Sequence, residues 1–190
     1  MTTYELIQKR RSIRKFQQEP LARELLGKCV NAGRLAPCGA NIQPLEYIVV
    51  TDPDQCAQIF PHTAWAGYLD NGTPQPGEQP VAYIFILTNT EHRASADMDV
   101  GIAAENIVLT ALEEGVGSCM IGSLDRDALR MALEVPDHCE ITLAVALGYP
   151  AEEPVMEAMT TESIKYYLDN EGVLHVPKRA ASAITHWDTY

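Results

Sequence analysis

Half of the chain's 14 lysines and arginines are concentrated in two short segments, although the formal net charge of the chain is −12. They are Lys9, Arg10, Arg11, Arg14, Lys15, Lys178 and Arg179. Like charges this close together repel unless an anion or water lies between them. Arginine offers a planar set of donors that suits phosphate, and Ser12 adds a hydroxyl donor. The pattern favours a phosphate site, and a solvated basic turn paired with acidic neighbours is the alternative.

Two common phosphate-binding motifs are missing from the sequence. It has no G-x-x-x-x-G-K-[ST] stretch, which forms the phosphate loop of many nucleotide hydrolases. The stretch from Gly115 to Met120 lacks the third glycine of a dinucleotide fingerprint and follows a predicted helix rather than a strand. A nicotinamide nucleotide would therefore have to bind without a Rossmann crevice.

The cysteines and histidines form no recognisable catalytic or metal-binding pattern. The five cysteines are odd in number and no pair has C-x-x-C spacing, so we expect reduced thiols in a cytoplasmic protein. Cys119 and Ser118 have no histidine or acid close in sequence, which favours packing over a nucleophilic role. The five histidines are scattered, and we predict no metal site.

Length and charge further limit the classes of protein to which the chain can belong. The 190 residues, of which 46% are hydrophobic, predict a single domain over residues 1–190 with a core of its own. An acidic chain repels nucleic acid and anionic lipid, so we expect neither as a partner. The start of the chain has no signal-peptide pattern, and no apolar run approaches the roughly 20 residues of a membrane span.

The hydrophobic pattern predicts helices alternating with a few buried strands. Capping residues, proline positions and apolar spacing indicate helices over 2–10, 20–36, 54–60, 97–114, 125–134 and 160–168. Apolar runs indicate strands over 45–51, 81–88 and 141–147. This pattern predicts an α+β or α/β sandwich with helices on both faces of the sheet.

Three segments stand out from that pattern. The helix over 97–114 is apolar on nearly all sides, which is typical of the centre of a large core or the contact surface of a dimer. Residues 61–80 are rich in proline and glycine and predict a long loop that could cover a substrate pocket, with Trp65 and Tyr68 as pocket candidates. Packing of these aromatic rings under the loop is an equally good interpretation. Residues 170–190 have little core-forming periodicity and look like a C-terminal arm.

The chain resembles the FMN-dependent nitroreductase family in five motifs that occur in the family's order. They are Arg10-Arg11-Ser12-Ile13-Arg14-Lys15-Phe16, residues 36–44, Asp99-x-Gly101 through Gly122, Ala146-Leu147-Gly148-Tyr149-Pro150, and residues 172–179. The resemblance covers nearly the whole chain. It implies an α+β fold with a central, mostly antiparallel sheet sandwiched by helices. It also implies a homodimer with two FMN sites at the interface and a C-terminal arm reaching the partner.

The resemblance also implies roles for individual residues. The FMN phosphate would be held by Arg10, by Arg11 beside it and by Ser12, joined by Lys178 and Arg179. Arg14 would reach the pyrimidine edge of the flavin. Residues of the partner subunit would meet the ring and the ribityl chain, and the backbone around Ile121 and Gly122 would face flavin N5. The expected partner residues are Pro37, Cys38, Asn41 and Gln43.

The implied activity is that of an oxidoreductase in which the flavin carries the chemistry and no side chain acts as an acid or base. NAD(P)H would reduce FMN at N5, and a nitroaromatic, quinone or related small electron acceptor would then be reduced in ping-pong order. Two alternatives stay open: a non-catalytic FMN-binding or sensing module, and a family relative that catalyses dehalogenation, enoate reduction or flavin cleavage. The physiological substrate and the choice between NADH and NADPH are not readable from the sequence.

Overall fold

A four-stranded antiparallel sheet lies at the centre of the computed structural model, which describes residues 1–160 and 162–190. The strand order is β1-β2-β4-β3. The strands are β1 (Leu45–Val50), β2 (Ala82–Asn89), β3 (Gly117–Ile121) and β4 (Cys139–Gly148). All eight residues of β2 are buried, because a central strand covered on both faces needs apolar side chains in both directions. The predicted strands are confirmed, and β3 is an addition.

Helices α2 (Arg23–Arg34) and α4 (Asp97–Glu113) cover one face of this sheet. Their apolar side chains pack on Ile84, Ile86 and Val145, and Ile107 of α4 is fully buried. Gly33 allows α2 to approach α4 closely, since a Cβ there would lie 3.0 Å from Cδ1 of Ile107. The apolar interior of the predicted helix over 97–114 therefore lies partly in the core.

The other face is covered by α3 (Pro53–Ile59) and α5 (Arg126–Ala132). Ile59 and Leu129 pack there against Tyr83 and Phe85 of β2. The sandwich of helices on both faces predicted from the sequence is confirmed, and its antiparallel sheet makes it an α+β fold.

Side-chain caps fix the beginnings of the short helices. Thr2 forms a capping box with Glu5 at the start of α1 (Thr3–Lys9), as predicted, and Asp52 and Asp125 cap α3 and α5. Gly115 follows α4 with φ +78°, the left-handed conformation that glycine accommodates best. In the described residues, no helix is long and apolar enough to cross a membrane.

The predicted helix over 160–168 is wrong for the residues that the structure describes. Thr161 lies outside them, and residues 162–168 contain a short strand, β6 (Tyr167–Leu168), instead of a helix. The helical spacing of Ile164, Tyr167 and Leu168 misleads because all three side chains are exposed, so no apolar surface stabilises a helix there. Pairing with a neighbouring strand decides the conformation.

That neighbouring strand corrects the prediction for the C-terminal segment. Residues Leu174–Lys178 form β7, which pairs in parallel with β5 (Val155–Ala158) and antiparallel with β6. Leu174 is buried, so residues 174–178 belong to a small second sheet of the same chain. Only residues beyond it, which include a 3-10 turn at Ala181–Ala183, have the exposure expected of an arm.

Candidate functional site

The basic segment between Arg10 and Lys15 lies along the outer edge of β3. The Ile13 amide donates a hydrogen bond of 2.8 Å to the carbonyl of Ser118, and Ser12 forms a single parallel bridge with Ser118. Gly117 permits this approach, because a Cβ there would lie 2.8 Å from Cγ1 of Ile13. The segment is thus fixed against the sheet by its backbone, which leaves its long polar side chains available for other contacts.

A second set of contacts anchors the segment at its far end. Phe16 is fully buried beside Gly148, where a Cβ would lie 2.9 Å from Cδ1 of the phenyl ring. The Gln17 amide donates to the carbonyl of Tyr149 at 2.8 Å. Oε1 of Glu152 accepts the amides of Arg14 (2.5 Å) and Lys15 (3.2 Å). The sequence motifs at 10–16 and 146–150 are therefore one structural unit.

The arginines of this segment have different environments. Nε of Arg10 lies 3.3 Å from Oε1 of Glu105 on α4, and both side chains are partly exposed. The Arg11 guanidinium donates instead to the carbonyls of Gln8 and Arg10 at the end of α1. Burial, followed by the charge of Arg10, lowers the pKa of Arg11. Arg11 thus stabilises a helix end, and Arg10 is the better oriented of the two for an anion.

Arg14 points into a pocket beside the second sheet. Its guanidinium lies 5.0 Å from the centre of the Tyr166 ring, and Tyr166 lies 5.0 Å from Tyr68. Its Nε is buried and has no hydrogen-bond partner in residues 1–160 and 162–190. Arg14 and Glu152 line this pocket of about 520 Å³ together with loop residues 69–78. The described residues thus leave one buried donor of Arg14 unpaired beside this pocket.

Cys119 on β3 is a buried thiol beside these cations. Burial raises the pKa of Cys119, while the nearby charges of Arg14 and Arg10 lower it less. A protonated, 6% exposed thiol is a poor nucleophile, which supports the packing interpretation. At the end of β3, Ile121 is buried and the carbonyl of Gly122 accepts a hydrogen bond from Arg126.

The loop with Pro37, Cys38, Asn41 and Gln43 lies at the beginning of α4. Its anchor is the buried carboxylate of Asp99, which accepts from Sγ of Cys38 (3.3 Å) and from the Gly39 amide (3.4 Å). Arg93 forms an ion pair of 3.3 Å with the same carboxylate. The Gln43 amide donates to the Cys38 sulfur at 3.3 Å. Cys38 therefore organises the loop through its side chain.

This loop and the basic segment touch α4 at different points. The loop contacts Asp99 and the basic segment contacts Glu105. Six residues of helix correspond to a rise of about 9 Å and to a different side of the helix. Pro37, Asn41 and Gln43 are exposed. One chain therefore does not bring all the predicted flavin ligands together.

Lys178 and Arg179 lie at the exposed end of β7. The Lys178 carbonyl accepts from the Met159 amide at 2.9 Å, and Arg179 donates to the carbonyl of Ala183. No hydrogen bond or ion pair joins either residue to Arg10 or Ser12 in the described part of the chain. Their phosphate role stays a prediction.

The two aromatic pocket candidates differ in burial. Trp65 is 8% exposed, donates from its indole nitrogen to Oγ1 of Thr63, and packs 5.9 Å from Phe60. Its environment supports the packing interpretation. Tyr68 is 50% exposed beside Tyr166, and the pocket interpretation fits it better. Residues 63–80, all of which the structure describes, contain no helix or strand.

Sequence reasoning missed three residues at this site: Glu105, Glu152 and Tyr166. Glu105 gave a weak signal, because it is a charged residue inside an otherwise apolar helix. Glu152 directly follows the motif that ends at Pro150. Tyr166 gave no signal, since the helix predicted there would have turned it elsewhere.

Comparison with known proteins places this geometry in a family. Residues 7–149 match the family model described as Nitroreductase family. An NADPH-dependent oxidoreductase of Staphylococcus epidermidis is 28% identical over 172 residues, which cover 79% of this chain and 65% of the relative. The chain thus spans about two thirds of that relative's length.

Solved structures agree with the match. A nitroreductase family protein from Clostridium novyi NT is 28% identical with a TM-score of 0.68, and the alignment covers 79% of this chain and 87% of that one. An FMN-dependent nitroreductase from Clostridium difficile R20291 is 25% identical with a TM-score of 0.70, and covers 97% and 98%. Because the family model matches residues 7–149, which include the basic segment, the Cys38 loop and β3, the chain belongs to the Nitroreductase family.

Proposed function

We propose that the chain binds FMN and acts as an NAD(P)H-dependent oxidoreductase on a small electron acceptor such as a nitroaromatic or a quinone. Family membership supports this proposal, as do the names of the relatives, one an NADPH-dependent oxidoreductase and one an FMN-dependent nitroreductase. The observation that carries it is the buried, unpaired Nε of Arg14, whose side chain lines a pocket beside the second sheet.

The residues present fit a phosphorylated flavin. Arg10 and Ser12 provide a guanidinium and a hydroxyl on one fixed segment, and the ion-pair partner of Arg10 is a partly exposed carboxylate. An incoming phosphate can compete with such a pair, because exposed ion pairs contribute little free energy. Arg14 offers a buried donor, which costs free energy until a ligand accepts from it.

Bound FMN would supply the redox chemistry, accepting a hydride from NAD(P)H and delivering it to the acceptor in ping-pong order. Arg14 would hold a fixed positive charge at the pyrimidine edge and favour the uptake of negative charge there. Tyr166 would keep the guanidinium oriented through its ring contact, and Tyr68 would support the Tyr166 ring.

We also propose that the active unit is a homodimer in which the Cys38 loop completes the partner's site. Four apolar residues of α4 are at least partly exposed and recur at spacings of three to seven, namely Met98, Ile102, Leu109 and Leu112. In α1, Tyr4 and Ile7 are exposed, and in the C-terminal segment so are Ile184, Trp187 and Tyr190. Such an apolar surface is typical of a protein interface.

The visible spectrum of the purified protein, with the released cofactor identified by mass, tests FMN binding. Anaerobic mixing with NADH and with NADPH then separates an enzyme from a flavin-binding module, because only an enzyme would bleach the flavin band rapidly. A colourless protein that takes up no FMN at micromolar concentration would reject the proposal.

Arg14→Met tests the residue that carries the proposal. Losing a buried charge partner typically costs about 2–4 kcal/mol, so we expect weaker FMN binding and a lower flavin reduction potential. Arg23→Met is the matched control, because Arg23 is exposed at the beginning of α2 and does not line the Arg14 pocket. Equal potentials in the two variants would remove Arg14 from the site.

A further inference from the structure

Three side chains with different donor atoms meet at the beginning of β4. They are the carboxylate of Glu46 on β1, the imidazole of His138 just before β4, and the thiol of Cys139, its first residue. One oxygen, one ring nitrogen and the sulfur all lie within 4.8 Å of one another. We propose that these residues bind a zinc-class divalent cation, a site that the sequence did not predict because Glu46 lies 92 residues before His138.

Neighbouring residues that are not ligands hold the carboxylate of Glu46 and the backbone of His138 and Cys139 in place. Asn89 donates to Oε1 of Glu46 at 2.8 Å. The amide and the hydroxyl of Thr90 donate to the carbonyl of His138 at 2.8 and 2.9 Å. Arg130 donates to the carbonyl of Cys139 at 2.6 Å. Metal ligands oriented by such outer contacts are typical of functional metal sites.

The donor set matches the chemistry of zinc. Zn²⁺ prefers sulfur and nitrogen ligands, accepts carboxylate oxygen, and is four-coordinate with bonds of roughly 2.0–2.3 Å. Cys139 is fully buried, His138 is half-buried and Glu46 is exposed. The thiol would form the floor of the site, and the exposed side would leave a fourth position for water. Side-chain shifts of about 1 Å would bring the donors to bonding distance.

The carboxylate beside the thiol favours a cation at this point. The Cys139 sulfur lies within 4.8 Å of an oxygen of Glu46 and of a ring nitrogen of His138. A bound cation would neutralise that carboxylate, and protons carried by the ligand atoms would be released on binding.

The site is separate from the basic segment that forms one part of the proposed flavin site. The basic segment bridges to Ser118, which pairs with Leu147 near the end of β4, whereas Cys139 begins that strand. Eight residues of antiparallel strand span about 27 Å. The cation would therefore be structural: it would join the edge strand β1 to β4 across β2, and its presence does not depend on the flavin chemistry.

The test titrates chelator-treated protein with Zn²⁺ in competition with a chromogenic chelator, and with Co²⁺ as a spectroscopic probe. We expect one equivalent to bind, a Co²⁺–thiolate charge-transfer band, and a higher Tm. Cys139→Ser should abolish the band, and Cys139→Ser, His138→Gln and Glu46→Gln should each weaken binding at least about 10-fold. Cys29→Ser and His92→Gln are the matched controls.

Glu46→Gln keeps the test decisive if Cys139→Ser fails to fold, because Glu46 is exposed and its replacement leaves the core intact. Zinc affinities that are equal in the wild type and Glu46→Gln, or a Co²⁺ spectrum without a thiolate band, would overturn the proposal. The thiol of Cys139 would then only donate a hydrogen bond to Glu46.

Discussion

At the scale of single residues, the loop that ends at Gln43 has an unusual backbone. Ala40, Asn41 and Gln43 have φ values of 52°, 54° and 53°, although none is glycine. Left-handed conformations of residues with a Cβ cost roughly 1–2 kcal/mol each, least for asparagine. Strain of this kind concentrates at binding sites, and here it lies in the segment proposed to meet the partner's flavin.

We predict that Ala40→Gly stabilises the protein and weakens cofactor binding. Removing the Cβ relieves the backbone strain, and the greater freedom of glycine in the unfolded chain offsets part of that gain. The free energy of unfolding should therefore rise by about 0.5–1 kcal/mol. The loosened loop should hold FMN less tightly. Denaturant unfolding and FMN titration measure the two effects. Ala57→Gly, on the exposed side of α3, should instead destabilise by about 1 kcal/mol, and equal behaviour of both variants would contradict the strain argument.

The sequence predicted the basic residues of the site better than their individual contacts. The charge pattern located the segment from Arg10 to Lys15. It could not assign Arg11 to the end of α1, because that depends on the residue at which the helix stops. The contact of Glu152 could not be predicted either, because the backbone amides that it accepts lie 137 and 138 residues away in the chain.

At the scale of elements, Gly117 and Gly148 determine how closely the basic segment packs on the sheet. A Cβ at Gly148 would lie 2.9 Å from Cδ1 and 3.0 Å from Cβ of Phe16. We predict that Gly148→Ala costs about 1–3 kcal/mol of unfolding free energy and lowers FMN content, because Phe16 and the adjoining arginines must shift together.

Gly27→Ala is the control for this prediction. Gly27 lies in α2, and a Cβ there would meet nothing within 4 Å, so the change should stabilise by up to about 1 kcal/mol through helix propensity. Denaturant midpoints and flavin-to-protein ratios of both variants provide the measurement. A Gly148→Ala protein with wild-type stability and FMN content would show that the segment tolerates displacement.

In the second sheet, His175 lies between two carboxylates. Its Nδ1 is 3.0 Å from Glu157 and its Nε2 is 3.1 Å from Asp169, while the ring of Tyr167 stacks on it at 5.0 Å. The hydrogen bond to Asp169, followed by that to Glu157, raises the pKa of His175. The backbone amide of Val173, more than the imidazole, lowers the pKa of Asp169.

We predict that this sheet weakens as the pH rises. The pKa of His175 is higher in the folded protein than the roughly 6.5 of the unfolded chain. The contribution of the protonated imidazole to the stability of the folded state is therefore complete below about pH 6.5, and it is lost as the pH rises through the raised pKa of the folded state. Hydrogen-exchange protection of β7 amides should fall as the pH rises above about 6.5, after correction for the intrinsic exchange rate. His175→Gln should flatten this dependence, and a variant of exposed His92 should keep it.

The elements were largely predictable, and the failures have a common cause. Strands β1, β2 and β4 and helix α4 are long or continuously apolar, so the local pattern determines them. Strand β3 is short and contains Gly117 and Ser118, β6 has only two residues, and β7 pairs in parallel with the separate strand β5. Such short strands, and pairing between separate segments, leave no periodic signal in the residues themselves.

At the scale of the whole molecule, the partly exposed apolar stripe on α4 predicts the oligomeric state. Leu109→Asp would place a charge in the proposed interface, where it loses its hydration on association. We expect a monomer by light scattering and at least about a 10-fold loss of FMN affinity. Met131→Asp, on the 81% exposed side chain of α5, is the control and should stay dimeric. A Leu109→Asp protein that remains a dimer with full FMN content would move the interface elsewhere.

The family and its fold could be read from the order of the motifs, whereas the homodimer that the resemblance implies stays a prediction. Apolarity of α4 was compatible with both a core and an interface, and the structure shows that its residues divide between these environments: Ile107 is fully buried and Met98 is 78% exposed. The contacts of residues 180–190 with a partner subunit stay a prediction.

The carboxylate of Glu152 affects how the protein behaves before its cofactor binds. It accepts hydrogen bonds from the amides of Arg14 and Lys15. These bonds already fix the backbone that an arriving anion would otherwise have to order. The ordering of this segment is then completed during folding, so little conformational entropy remains to be lost on binding. Newly synthesised chains should therefore be able to fold first and acquire their flavin afterwards, and FMN that dissociates should leave behind a receptor ready for the next molecule.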